Sequence, residues 1–91
     1  MLYQVYTLDV WGNEEDGFEI NDMADSGAVE IPADLDGQPL IDLLVDEHYL
    51  TAACREPGGC RVVDLGDGFL TVEVTETGRP ILELRADEGQ G

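Results

Sequence analysis

The chain has no lysine, one histidine and only four arginines, Arg55, Arg61, Arg79 and Arg85, against 21 aspartates and glutamates. A formal charge of -17 over 91 residues repels DNA, RNA and anionic lipid heads and attracts basic surfaces across a Debye length of about 8 Å at physiological salt. Direct nucleic-acid binding is therefore disfavoured, and a basic protein or nucleoprotein complex is the expected partner. No apolar run approaches the roughly 18 residues of a membrane span, and Met1-Leu2-Tyr3-Gln4 lacks the basic region and apolar stretch of a signal peptide. Two cysteines are too few for the disulfide framework of a small secreted domain. Together these absences point to a reducing, cytoplasmic setting with no membrane partner.

Hydrophobic residues make up 43 % of the chain, which separates it from acidic sequences that stay disordered. A chain of this length supports one hydrophobic core and no second domain. Residues Leu2 to Trp11 alternate in period two with many β-branched and aromatic types, apolar on both faces, as an interior strand would be. After the turn signal Gly12-Asn13-Glu14-Glu15-Asp16-Gly17, a short strand is expected at Phe18 to Asn21. A second turn at Asp25-Ser26-Gly27 and a third strand at Ala28 to Ile31, closed by Pro32, come next. The period then changes to 3.6: Leu40, Ile41, Leu44, Val45, His48 and Tyr49 share one helix face, with Asp42, Asp46 and Glu47 on the other. Pro39 suits the first turn, and Asp36 or Gln38 is placed to cap it. Asp46 and Glu47 oppose the helix dipole, which suggests that negative charge serves another purpose there.

Beyond Pro57-Gly58-Gly59, three extended runs follow, Arg61 to Leu65, Phe69 to Val74 and Ile81 to Leu84, separated by Gly66-Asp67-Gly68 and Thr77-Gly78-Arg79-Pro80. The order βββ-α-βββ predicts an α+β domain over residues 1–86: an antiparallel sheet of five or six strands packed on one amphipathic helix, with 87–91 as a flexible tail. An exposed sheet edge would leave a homodimer open.

The stretch from Tyr6-Thr7-Leu8-Asp9-Val10-Trp11 through Asn21-Asp22, with Arg79-Pro80-Ile81-Leu82-Glu83-Leu84-Arg85, resembles a group of small acidic proteins encoded in tailed-phage and prophage genomes. The resemblance covers most of the chain and implies a viral origin and a host-directed role. Inhibition of a restriction or CRISPR enzyme is one such role. It assigns no cofactor and no site residue.

Several catalytic and metal patterns fail on their own terms. Cys54 and Cys60 could close a small disulfide loop or form half a zinc site with His48. A structural zinc needs four ligands, and the second pair is missing, so small, partly buried thiols are the plainer expectation. A Cys-His nucleophile pair of Cys54 and His48 is formally open, but a packed, hydrogen-bonded histidine is favoured. Asp34-Leu35-Asp36-Gly37 and Asn13 to Gly17 begin like calcium loops and lack the terminal glutamate. A glycosidase-type carboxylate pair needs a cleft for which the chain has little room. No cofactor, metal or catalytic residue is assigned.

The acids carry the functional expectation. Glu19, Glu30, Glu73 and Glu83 alternate with apolar residues, and on neighbouring strands such carboxylates would stand about 5 to 7 Å apart, comparable with nucleic-acid phosphates. A non-enzymatic DNA mimic that fills a basic groove is the expected function. Its contact residues would be Glu14, Glu15 and Asp16 in the first turn and Asp42, Asp46 and Glu47 on the helix. Two alternatives compete: an accessory or virion-associated module binding through an apolar patch around Tyr3, Tyr6 and Trp11, and a salt-adapted domain whose acids are spread evenly.

Overall fold

In the computed structural model, which describes residues 1–56 and 58–86, five strands form one antiparallel sheet and one α-helix covers one of its faces. The strands are β1 (Leu2–Asn13), β2 (Gly17–Glu30), β3 (Cys60–Gly66), β4 (Phe69–Val74) and β5 (Pro80–Ala86), and the helix is α1 (Gly37–Asp46). Their order across the sheet is β2-β1-β5-β4-β3. The proposed tail at 87–91, and Pro57 in the expected loop, lie outside the described residues.

Alternation places Val5 of β1 opposite Leu84 of β5, and Leu84 opposite Leu70 of β4; one step along, Leu82 stands opposite Val72, and Val72 opposite Val62. These side chains share the face that meets Leu40, Ile41 and Leu44 of α1, and Val29 and Ile31 close the same core. Leu44, Val5, Val72 and Leu84 are wholly inaccessible to solvent. Each side chain buried in this way contributes about 1.5 to 3 kcal/mol, and that is what holds a 10-residue helix too short to persist alone.

Three features depart from the sequence expectation. First, the turn expected at Asp25-Ser26-Gly27 is a β-bulge, so two expected strands are one 14-residue strand, β2. Ser26 and Asn21 are the two residues of β2 without a partner in β1. Asp25 Oδ1 accepts the Gly27 amide at 3.0 Å, satisfying the bulge locally. Asp, Ser and Gly thus serve a bulge with the chemistry of a turn.

Second, the helix stops at Asp46, and His48 lies outside it with φ of 68° and an exposed side chain, instead of packing on the apolar face. This left-handed residue ends the helix and turns Tyr49 and Leu50 back to the core, their amides donating to Leu44 O at 2.9 and 3.3 Å. Asp36 occupies the N-cap position but makes no side-chain cap bond; Gln38 instead donates to Asp42 Oδ1 and Arg55 O.

Third, Cys54 and Cys60 are joined as a disulfide with Cα atoms 4.7 Å apart, in place of separate thiols. Cys54 lies in a short 3-10 helix, Ala52–Arg55, and Cys60 opens β3. Gly59 makes the approach feasible, since a Cβ there would collide with the Ala53 carbonyl.

Candidate functional site

β1 pairs with β5 only from Tyr3 to Thr7, whereas its pairing with β2 continues to Asn13 and Gly17. The β1–β2 hairpin therefore runs on as a two-stranded arm, its tip about 20 Å beyond Thr7 at roughly 3.3 Å per residue. Leu8 and Val10 are buried near its root, where Arg79 Nη2 donates to Val10 O at 3.4 Å. Farther out the arm has lost its sheet neighbours, and Trp11 and Ile20 are exposed at 63 and 44 %.

The tip is tightly organised. Asn13 Oδ1 accepts the amides of both Glu15 and Asp16, at 2.9 and 2.8 Å, and Gly17 takes φ of 89° to return the chain to β2. Gly12 has φ of 103°, and any Cβ there would overlap the Gly17 carbonyl, so the two strands approach as only glycine permits. Glu14, Glu15 and Asp16 are exposed, and the only side-chain bond among them is Asn13 Nδ2 to Asp16 Oδ2 at 3.3 Å. A groove of about 450 Å³ at the tip is lined by Trp11, Gly12, Asp16, Gly17, Phe18 and Glu19. A second, of about 250 Å³, is lined by Trp11, Glu19, Ile20 and Asn21.

The expected helix acids stand differently. Arg55 Nε donates to Asp42 Oδ1 at 3.1 Å, and its Nη2 donates to Asp46 Oδ1 at 2.6 Å and to the Asp42 carbonyl at 3.1 Å. The hydrogen bond to Asp46 is the main reason the Arg55 guanidinium is held above its ordinary value. Asp46, placed against the helix dipole, thus has a partner within the fold. Glu47, just past the helix end, is exposed and outside this cluster. The turn acids are carried on the arm, well past the part of the sheet that α1 covers, so the two groups do not form one patch.

Nor do the strand acids make a ladder. Glu73 and Glu83, on adjacent strands, are each paired with an arginine of the same sheet face: Arg61 Nη2 to Glu73 at 2.9 Å, and Arg85 Nε to Glu83 at 2.7 Å. Arg85 also lies over the Tyr6 and Phe69 rings, 5.0 and 5.7 Å from their centroids. The face away from the helix is therefore a mixed apolar and ion-paired surface. Tyr3 and Tyr6 are separated by strand parity, Tyr3 packing against the core and Tyr6 lying beneath Arg85, so Tyr3, Tyr6 and Trp11 do not make a common patch.

Along β2, the outer edge of the sheet, Asp22 Oδ1 accepts the Met23 amide at 2.8 Å and Tyr49 OH donates to Ala28 O at 3.1 Å. Glu19, Asp22, Asp25 and Glu30 are exposed along it. Among the described residues, no three His, Cys, Asp or Glu side chains gather as metal ligands would, and no helix is long and apolar enough to cross a membrane. Comparison with protein-family models, with curated proteins and with solved structures finds no match to this chain.

Proposed function

We propose that this chain is a non-catalytic acidic inhibitor of phage origin that occupies the basic nucleic-acid-binding surface of a host defence protein, such as a restriction or CRISPR enzyme. The observation that carries the reading is where the few cations go. Arg55 is taken by Asp42 and Asp46, Arg61 by Glu73 and Arg85 by Glu83, while Arg79 reaches the Val10 carbonyl. None of these arginines is ion-paired with Glu14, Glu15, Asp16 or Glu19, so the acids at the tip of the β1–β2 arm stand without a cationic partner among the described residues. Unpaired negative charge on a projecting element suits entry into a basic groove.

Capture from a bacterial lysate at low and high salt, followed by competition with double-stranded DNA, tests the reading. A basic nuclease or surveillance complex held at low salt and released by DNA is the expected result. Capture that is indifferent to DNA and to salt would overturn it.

A further inference from the structure

We propose that the groove beside Trp11 is a receptor for a single cationic side chain, an arginine or lysine, presented by a basic protein. The identity of that protein rests on the acidic-inhibitor reading; the groove is argued from its own geometry. An indole face carries negative electrostatic potential and attracts ammonium and guanidinium groups within about 6 Å of its centroid. Trp11 is 63 % exposed, with Glu19 directly opposite it across the β1–β2 pair. Asp16 and Phe18 complete the walls of the 450 Å³ groove. An exposed indole and two carboxylates lining one groove together attract a cation.

The fold already builds one such arrangement and fills it. Arg85 lies over Tyr6 and Phe69 with Glu83 as its counter-ion. Among the described residues no arginine stands over Trp11 in the same way, and Arg79 is directed to the Val10 carbonyl. The positive charge must come from outside. A second copy of this chain is a poor source, because its arginines are engaged internally and it repels the arm. Strand addition along β2 is disfavoured where Asp22 and Asp25 accept the Met23 and Gly27 amides and Tyr49 OH donates to the Ala28 carbonyl. Charge complementarity therefore selects a cationic side chain of a basic protein over nucleic acid, lipid or self.

The probe is a fluorescein-labelled peptide alternating arginine with glycine, titrated by anisotropy into the wild type and into Trp11→Ala, Trp11→Phe and Glu19→Gln, with thermal melts to verify each fold. Trp11→Ala is expected to weaken binding about 3- to 30-fold. Trp11→Phe should recover part of that loss, and Glu19→Gln should weaken binding and flatten its salt dependence. Because Trp11 is the only tryptophan, its emission in the wild type should change with the same midpoint as the anisotropy. If the wild type binds the peptide and Trp11→Ala binds it equally well, the groove proposal falls and the basic-partner reading stands. If the wild type does not bind the peptide even at low salt, both fall together.

Discussion

Reduction of the Cys54–Cys60 disulfide should lower the stability of this domain by an amount set by its loop. The cysteines are six positions apart. For so short a loop, the chain-entropy relation gives about 2 kcal/mol of stabilisation, through restriction of the unfolded chain. In a domain of this size 1 kcal/mol moves the melting temperature by about 4 to 8 °C, so a fall of about 10 °C is expected when reductant is added. The assay is thermal unfolding by circular dichroism with and without reductant, beside a Cys54→Ala/Cys60→Ala control that should melt at one temperature in both buffers. Cys54 is buried, so the control will carry its own packing loss; only its indifference to reductant matters. Two titratable thiols in the unreduced protein, or a wild-type melting temperature that ignores reductant, would refute the reasoning. The cross-link holds the short helix bearing Arg55 against the start of β3, so its loss should also loosen the Arg55 contacts with α1.

Leu44→Ala, at a fully buried position, should cost about 2 to 5 kcal/mol by urea unfolding, whereas Leu65→Ala, 58 % exposed, should change stability by less than about 0.5 kcal/mol. Gly12→Ala should cost at least about 1 to 3 kcal/mol, because it combines a left-handed backbone with a collision against Gly17; an unchanged urea midpoint would contradict that geometry. Reversing Glu14, Glu15 and Asp16 to lysine should leave the melting temperature nearly unchanged, since the turn is held by backbone amides on Asn13. The same reversal should weaken binding of the arginine peptide roughly tenfold or more at low salt, and by less at high salt.

Most of the sheet was legible because β1, β4 and β5 alternate cleanly and the Gly-rich turns between elements are true turns. β2 was not, because a bulge and a turn draw on the same residues: Asp25, Ser26 and Gly27 satisfy both patterns, and only pairing with Val5 and Tyr6 decides between them. Apolar periodicity overextends the helix for a different reason. Tyr49 and Leu50 do face the core, so apolar periodicity persists past Asp46, but burial is not helical hydrogen bonding, and the left-handed His48 separates the two. The turn acids were legible as an exposed loop. The engagement of Asp42 and Asp46 was not, because their partner Arg55 lies 13 and 9 residues away and no local period connects them.

Trp11 shows why the arm matters beyond its charge. Its place in the alternating strand is that of a core-facing residue, on the same parity as Val5, yet Thr7, Asp9 and Trp11 are all exposed on that side of β1. At Trp11 the strand has β2 as its one sheet neighbour, since β5 pairs no farther than Thr7 while β2 follows β1 for six residues more. The arm keeps this exposed indole where Asp16 and Glu19 line the same groove and where no arginine compensates them. A solubility coat would need carboxylates alone. An exposed tryptophan works against solubility, so its pairing with acids on a projecting hairpin favours contact with a partner over mere solvation.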